Sequence, residues 1–323
     1  MMFSGTNSLG RVGYTAFSGQ IGVACSRGTR QLTSLKPIVK LIRPEQYYKN
    51  LILYVGVVFG SKANVLSVWP VVTLGFVVFC MSSSVLYMIN DIVDLESDKN
   101  HPRKRLRPLP SGALRVRQAL ILVGALGIAV VALSKLMPVN FLFMVIAFFT
   151  TGLLYSTVFK HIVVLDVVIL SLGYVWRAVA GCYAADVSAS AWLIILALEL
   201  ALLLALGKRK AEIFSMKGSG ARFKAVLASY SDQSLDLLLP ISATLVVVSY
   251  VMYVLEVSKG KLLATIPVAI YLVYKYAMMA LESRIESPET LVFNKGIVGG
   301  VIVWIALVFL LLYTNLLELI GFK

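Results

Sequence analysis

The chain has 323 residues, of which 59% are hydrophobic and 14% are charged, and its formal net charge is +14. Soluble domains contain roughly 45–50% apolar and about 25% charged residues, so this composition excludes an ordinary soluble protein and indicates a helical membrane protein. The positive charge does not require a nucleic acid partner, because basic loops are common in membrane proteins.

The amino-terminal segment differs in composition from the rest of the chain. Residues 1–34 are rich in Ser, Thr and Gly and contain three arginines but no acidic residue. This composition is typical of an organellar transit peptide, but we favour a disordered tail as its explanation. We expect a flexible tail over residues 1–36, followed by a single transmembrane transferase domain over residues 37–323.

Nine apolar segments are predicted as membrane spans, which makes the expected fold an all-α bundle of about nine transmembrane helices. They centre on residues 47–61, 67–90, 116–134, 139–157, 163–183, 190–207, 236–257, 262–281 and 296–318. With the amino terminus inside, the loops at 91–115 and 208–235 lie on the inner side and hold most of the loop lysines and arginines. This asymmetry places the inner loops on the cytoplasmic face of a bacterial inner membrane, or on its organellar equivalent.

An aspartate-rich motif ends the second predicted span. Asn90, Asp91, Asp94 and Asp98 follow one another at spacings that put them on one face of a helix. Carboxylates repel one another there, and the negative end of the helix dipole adds to the repulsion. A divalent cation would neutralise them, and oxygen ligands favour Mg²⁺. The alternative is a solvated helix end whose acids pair with nearby Lys or Arg.

Basic residues follow this motif at once. Arg103, Lys104, Arg105 and Arg107 lie within ten residues of Asp98. Arg binds phosphate oxygens in bidentate fashion and Lys acts as a point charge, so this cluster suits a metal-bound diphosphate. Contact with lipid headgroups is the alternative for some of these cations. The cysteines and histidines are scattered and predict neither a disulfide framework nor a zinc site.

The aspartate motif at the end of a membrane span resembles the first such motif of the UbiA-type intramembrane prenyltransferases. That resemblance implies a nine-helix bundle with a Mg²⁺–diphosphate site facing the cytoplasm, and it covers residues 37–320. The family's second aspartate-rich motif is replaced here by "GKRKAEIF", in which Lys208, Arg209 and Glu212 stand in its place. A downstream pair, Asp232 and Asp236, is interpreted as the start of the seventh helix.

Five segments together resemble one branch of this family, the decaprenyl-phosphate phosphoribosyltransferases: "RPEQYYKN", the aspartate motif with its basic loop, "LYSTVFKH", "VWRAVAG" and "GKRKAE". The resemblance implies Mg²⁺-dependent transfer of a 5-phosphoribosyl group from phosphoribosyl diphosphate to a polyprenyl phosphate. Diphosphate is released, and the product feeds lipid-linked arabinofuranose synthesis for cell-wall biogenesis. Extra cations in place of the second acidic motif suit two phosphate-bearing substrates.

Further candidates for substrate binding come from the remaining segments. Asp91, Asp94 and Asp98 are the expected catalytic residues, and Asn90 joins them as a metal ligand. The substrate-binding candidates are Arg43, Lys49, Lys104, Arg105, Arg107, Tyr155, Lys160, Arg177, Lys208, Arg209 and Glu212. Arg177 lies within an apolar span, where a charge is costly and usually functional. Alternatives are membrane anchoring for Arg43, Lys49 and Tyr155, and a helical pair for Lys208 with Glu212.

Other functions fit parts of this pattern. A conventional UbiA-type enzyme would move a prenyl group from a prenyl diphosphate to an aromatic or glycerol-phosphate acceptor, and a second aspartate pair would then be expected. A transporter would explain Arg177 but not the acids gathered at one membrane face. A lipid-binding scaffold is a further alternative. The expected partners are phosphoribosyl diphosphate, polyprenyl phosphate and membrane lipid, with no nucleic acid, and the oligomeric state, including a homo-oligomer, is left open.

Overall fold

The computed structural model describes residues 35–101, 104–217, 230–282 and 294–314, and these ranges contain helices and turns but no strand. The predicted tail lies almost wholly outside them, and its role stays a prediction. The α-helices are α1 (Leu35–Ile42), α2 (Val55–Phe59), α3 (Val68–Val93), α4 (Leu95–Lys99), α5 (Val116–Ser134), α6 (Val139–Thr157), α7 (Leu165–Ala184), α8 (Ala191–Lys217), α9 (Asp232–Met252), α10 (Ile266–Leu281) and α11 (Lys295–Tyr313).

Eight stretches of the described residues are long and apolar enough to cross a membrane. They are Val68–Val93, Val116–Ser134, Val139–Thr157, Leu165–Ala184, Ala191–Phe214, Asp232–Val257, Leu263–Leu281 and Lys295–Tyr313. They correspond to the second through ninth predicted spans, so the predicted all-helical, multi-pass architecture is confirmed.

The first predicted span has a different geometry. Residues 44–59 comprise an eleven-residue 3-10 helix, Pro44–Tyr54, that continues directly into the five-residue helix α2. A 3-10 helix rises about 2.0 Å per residue and an α-helix about 1.5 Å, so this 44–59 segment extends for roughly 30 Å. It therefore matches the thickness of the bilayer core, about 30 Å, with fewer residues than an α-helical span needs.

The 44–59 segment packs inside the bundle against α3 and α7. Its backbone comes so close to α7 that glycine is required at Gly181, where a Cβ would lie 1.9 Å from the carbonyl oxygen of Leu53. The last helix closes the bundle, because the Tyr313 hydroxyl donates to the carbonyl of Val58 at 2.7 Å. Described segments that are 255 residues apart in the chain thus meet in the bundle.

Three ion pairs show which helix ends lie together. Lys160, in the α6–α7 connection, reaches Asp94 after α3, and Arg209 near the end of α8 reaches Asp166 at the start of α7. Lys210 likewise pairs with Asp236 in the first turns of α9. Short connections make sequential helices antiparallel, so alternate helix ends gather at one face, which we call the site end of the bundle.

Candidate functional site

The aspartate motif sits where α3 ends and α4 begins. The helix breaks at Asp94, but the backbone N–H of Asp94 donates to Asn90 at 2.9 Å and that of Asp98 donates to Asp94 at 2.8 Å. The helical register therefore continues through the break. Asp91 and Asp98 are each only 1% exposed. Buried carboxylates need charged or hydrogen-bonding partners, and the basic residues around them supply these.

Arg107 joins the two buried aspartates. Its Nη1 lies 2.6 Å from Oδ2 of Asp98 and 3.1 Å from Oδ1 of Asp91. Lys104 adds a second cation, with its Nζ 3.1 Å from Oδ1 of Asp98. The basic loop thus folds back onto the acidic motif that precedes it, and the predicted neighbourhood of acids and cations is present in the structure.

Arg43 approaches the motif from the start of the 44–59 segment. Its Nη2 lies 2.6 and 2.7 Å from the two carboxylate oxygens of Asp91, and its guanidinium stacks on Tyr87 with 5.4 Å to the ring centroid. The backbone of Arg43 is left-handed, with φ at 59°, which is uncommon for a residue other than glycine. The proline that follows restricts this backbone further, so the ion pair offsets local strain.

Asp94 is held from another direction. Nζ of Lys160 lies 2.5 Å from Oδ1 of Asp94, and the Asn90 side-chain amide donates to Oδ2 at 3.2 Å. Lys160 belongs to a short 3-10 turn, Phe159–His161, after α6. Four cations, Arg43, Lys104, Arg107 and Lys160, thus contact three aspartates. These four cations and three carboxylates together carry one net positive charge, so the cluster favours the binding of a further anion.

The ion pairs of the aspartates restrict how these residues could bind a metal ion. Within the described ranges, no group of three or more His, Cys, Asp or Glu side chains is arranged to hold a metal. The three aspartates are separated by cations instead of converging on one point. Mg²⁺ commonly uses one or two carboxylates together with substrate phosphates and waters. The oxygen donors of Asn90, Asp91, Asp94 and Asp98 therefore fit a metal that arrives with a phosphate, and not a closed protein cage.

A second charged cluster lies at the ends of α7 and α8. Nε of Arg209 is 2.9 Å from Oδ2 of the fully buried Asp166, and its Nη1 is 2.6 Å from Oε2 of Glu212. The Tyr230 hydroxyl donates to Oδ1 of Asp166 at 2.6 Å and accepts from the backbone N–H of Val164. Burial and this carboxylate raise the pKa of Tyr230, so its hydroxyl stays protonated and keeps donating.

The residues in and beside this second cluster revise one reading of the sequence and confirm another. Glu212 pairs with Arg209 and not with Lys208, so the helical pair considered for Lys208 is not formed. Asp232 opens α9, with Ser231 as its N-cap, which confirms that the "SDQSLD" pair belongs to the start of a helix. Sequence reasoning missed Asp166 and Tyr230 as a pair. An acid inside the apolar run "VVLDVV" was the available signal, because intramembrane carboxylates are rare.

The remaining candidates lie at the edges of these clusters. Tyr155 lies near Arg209, and the ammonium of Lys49 lies over the ring of Tyr48, with 5.7 Å from Nζ to the ring centroid. Arg105 is exposed, and Arg103 lies outside the described residues. The structure thus brings Tyr155 close to the second cluster, whereas Arg105 makes no ion pair with an aspartate within the described ranges.

Arg177 belongs to neither cluster. It is 6% exposed, and its guanidinium donates to the Asn50 side chain at 2.6 Å, to the Gly173 carbonyl at 2.9 Å and to the Ser83 hydroxyl at 3.2 Å. It also stacks on Phe148 with 4.4 Å to the ring centroid. These partners connect the 44–59 segment, α3, α6 and α7 in the middle of the bundle. No carboxylate contacts Arg177 in the part of the chain that the structure describes.

Replacement of Arg177 by Met is expected to lower the free energy of unfolding by about 1–3 kcal/mol, because Asn50 and Ser83 lose a buried partner. Thermal unfolding of the purified protein in detergent measures this effect. Arg117→Met is the matched control, because Arg117 is exposed on α5 and also loses one guanidinium. An Arg177→Met protein as stable as the control but inactive would instead assign Arg177 to the substrate.

An apolar cavity of about 360 Å³ lies beside the second cluster, between the 44–59 segment and helices α7 to α11. Its wall at the site end includes Leu204 and Tyr276, and the Tyr276 hydroxyl donates to the Leu204 carbonyl at 3.2 Å. Gly207 accommodates that hydroxyl, since a Cβ there would lie 2.3 Å from it. Lys208 and Arg209 follow Gly207 directly in the chain, so two cationic residues lie on α8 about one turn beyond Leu204 of the cavity wall.

Comparison with known proteins gives two kinds of match. The UbiA prenyltransferase family matches residues 51–297 of this chain. The chain is 35% identical over 217 residues to the decaprenyl-phosphate phosphoribosyltransferase of Mycolicibacterium smegmatis, covering 66% of this chain and 68% of that protein. It is 32% identical over 226 residues to the enzyme of the same name from Corynebacterium glutamicum, covering 69% and 68%.

The solved structures that resemble this chain share its fold. A UbiA homolog from Archaeoglobus fulgidus, bound to DMAPP and Mg²⁺, superposes with a TM-score of 0.65 at 20% identity over 85% of this chain and 98% of that one. The same homolog bound to Cd²⁺ gives a TM-score of 0.64, covering 86% and 100%. A digeranylgeranylglyceryl phosphate synthase structure gives a TM-score of 0.59 at 19% identity, covering 86% and 96%.

Proposed function

The chain belongs to the UbiA prenyltransferase family and is a multi-pass membrane transferase, and from this premise we propose its reaction. It transfers the 5-phosphoribosyl group of phosphoribosyl diphosphate to a polyprenyl phosphate and releases diphosphate. The relatives that are named decaprenyl-phosphate phosphoribosyltransferase support this choice of donor and acceptor. The active site faces the cytoplasm of a bacterial inner membrane, and the product supplies lipid-linked arabinofuranose synthesis.

The observation that carries the proposal is the charge pattern at the site end. The described end of α8 presents Lys208, Arg209 and Lys210 where the family resemblance predicts a second aspartate motif. Four more cations surround the three aspartates. A prenyl diphosphate brings one diphosphate, whereas phosphoribosyl diphosphate and a polyprenyl phosphate bring a diphosphate and two separate phosphates. The larger number of anions calls for the larger number of cations.

The first cluster suits the leaving diphosphate. Arg43, Arg107 and Lys160 each hold an aspartate in this structure, and they are the cations whose N–H groups phosphate oxygens would accept from. Mg²⁺ bound through Asn90, Asp91, Asp94 and Asp98, directly or through water, would supply Lewis-acid stabilisation of the charge on the leaving group. Mg²⁺ or Cd²⁺ in the structures of the archaeal homolog supports a divalent metal here.

The second cluster and the apolar cavity suit the acceptor. Leu204 lines the cavity, and Lys208 and Arg209 follow it about one turn later on α8, so a phosphate held by these cations would direct its polyprenyl chain towards the apolar residues. Asp166 and Glu212 orient the guanidinium of Arg209, and Tyr155 lies near it. An oxygen of the acceptor phosphate forms the bond to ribose C1 as the bond from C1 to the diphosphate oxygen breaks. The phosphate oxygen is already ionised at neutral pH, so no general base has to remove a proton.

The purified protein in detergent with Mg²⁺ is expected to move label from phosphoribosyl diphosphate into a polyprenyl phosphate. The measurement is label recovered in the lipid phase, together with one diphosphate released for each transfer. The matched reaction replaces phosphoribosyl diphosphate by a prenyl diphosphate, with an aromatic or glycerol-phosphate acceptor. Prenyl transfer without phosphoribosyl transfer would overturn the proposal in favour of a conventional prenyltransferase.

A further inference from the structure

The apolar cavity extends from the site end towards the opposite membrane face. Along α8 its wall runs from Leu204 to Leu193, which is about 16 Å at 1.5 Å per residue. Polar groups in its wall satisfy one another: the Tyr250 hydroxyl lies 2.6 Å from that of Thr265, and the Trp304 indole donates to Tyr250 at 3.0 Å. The wall therefore presents apolar surface to whatever occupies the cavity.

A second, smaller cavity lies at the opposite end. It has a volume of about 140 Å³ and is lined in part by Ser61, Ser258, Lys259 and Lys261. These residues belong to the connections on the side of the membrane away from the site end. The larger cavity is apolar and the smaller one is polar, so an apolar chain would leave its preferred surroundings on passing from one to the other.

Two aromatic side chains line both cavities, Phe59 and Tyr253. Their rings meet edge to face, with centroids 5.5 Å apart and planes at 88°. Phe59 is the last residue of α2, and Tyr253 begins a π-helical turn, Tyr253–Val257, that interrupts the helical span after α9. Tyr253 is buried, and Phe59 also packs near Trp304, with 5.9 Å between centroids. The pair is therefore a fixed wall between the two cavities.

We propose that the Phe59–Tyr253 pair ends the binding cavity for the acceptor's polyprenyl chain and so determines how much of that chain contributes to binding. This inference rests on the proposed function, because it takes the polyprenyl chain as the occupant. Each isoprene unit that enters the cavity buries apolar area and strengthens binding. Isoprene units that extend beyond the Phe59–Tyr253 pair do not strengthen binding any further. The apparent KM for the acceptor falls with chain length until the chain reaches the pair, and then stays level.

The test uses a series of polyprenyl phosphates that differ by one isoprene unit, with transfer from labelled phosphoribosyl diphosphate as the readout. The wild-type protein is expected to show a break in a plot of acceptor KM against chain length. Phe59→Ala and Tyr253→Ala are each expected to move the break to longer chains and to lower the KM of the next longer acceptor at least about tenfold. The milder Phe59→Leu moves it in the same direction, should an alanine variant fail to fold.

Phe143→Ala is the matched control, because Phe143 is 58% exposed on α6 and lines neither cavity. For the Phe143→Ala variant, the break in the plot of acceptor KM against chain length is expected at the same chain length as for the wild type. A wild-type series without a break would overturn the inference, and so would a break that stays in place in all folded Phe59 and Tyr253 variants. Failure of transfer to every acceptor would contradict the proposed function itself, which keeps the two conclusions separate.

Discussion

Replacement of Asp91 by Asn is expected to reduce phosphoribosyl transfer by about 100-fold or more while the protein still folds and inserts into the membrane. The Asp91 carboxylate contacts both Arg43 and Arg107, at 2.6 and 3.1 Å. Asparagine has the same size but no charge, so the two guanidiniums lose the group that orients them. Loss of one oriented electrostatic contact at a reacting group commonly lowers a rate by about 10²–10³-fold.

The measurement for Asp91 is kcat and KM for phosphoribosyl diphosphate, with thermal unfolding to establish that the variant is folded. Glu96→Gln is the matched control, since Glu96 lies in α4 close to the motif, its side chain is 83% exposed, and it pairs with Lys99. An exposed pair of this kind contributes little. Equal activity of Asp91→Asn and Glu96→Gln would remove Asp91 from the active site.

Replacement of Gly181 by Ala is expected to lower the free energy of unfolding by about 3 kcal/mol, or to prevent folding. A Cβ at Gly181 would lie 1.9 Å from the carbonyl oxygen of Leu53, and backbone cannot move aside as a flexible side chain can. Small residues at helix contacts in membranes allow backbones to approach in this way. The displaced 44–59 segment begins beside Arg43, so any folded variant is also expected to lose activity.

Thermal unfolding in detergent and size-exclusion profiles measure the effect at Gly181. Gly124→Ala on α5 is the matched control, because a Cβ at Gly124 meets no other atom within 4 Å. The control is expected to unfold at or above the wild-type temperature, as alanine favours helix over glycine. If Gly181→Ala unfolds together with the control, the close approach of the 44–59 segment to α7 is not as this structure has it.

The three positions of the aspartate motif illustrate how far sequence reasoning reached. Helical spacing was enough to place Asp91, Asp94 and Asp98 on one face at a membrane boundary, and the basic loop after them was expected close by. The spacing of the aspartates along the chain could not identify the cations with which they form ion pairs. Asp91 and Asp98 share Arg107, whereas Asp94 pairs with Lys160, which lies 66 residues along the chain. Such a pair depends on which helix ends meet, and local spacing contains no information about that.

Arg43 and Arg177 also show that the sequence does not determine which residues an arginine contacts. Membrane anchoring explains Arg43 from the sequence, because any arginine beside a first span satisfies the positive-inside rule, yet its guanidinium contacts both carboxylate oxygens of Asp91. The sequence predicts a functional role for Arg177, because a charge inside an apolar span is costly, yet in this structure its guanidinium donates to neutral groups of three helical elements. Its substrate role stays a prediction.

The amino-acid sequence was sufficient for the properties that follow from local composition and period. These are a multi-pass helical membrane protein, the approximate spans, and the presence of an acidic and basic motif at one membrane face. Membrane spans are predictable from local residues because the bilayer demands apolar side chains and internal backbone hydrogen bonds over a fixed length. The motif is equally local, since its acidic and basic members all lie between Asn90 and Arg107.

Tertiary structure alone decided the features that depend on contacts between distant segments. The 44–59 segment crosses the bundle as a 3-10 helix against Gly181, Asp166 joins Arg209 and Tyr230, and Phe59 meets Tyr253 between two cavities. Each contact joins residues more than 40 positions apart. Its energy depends on distances between side chains of different helices, and those distances exist only once the helices have packed.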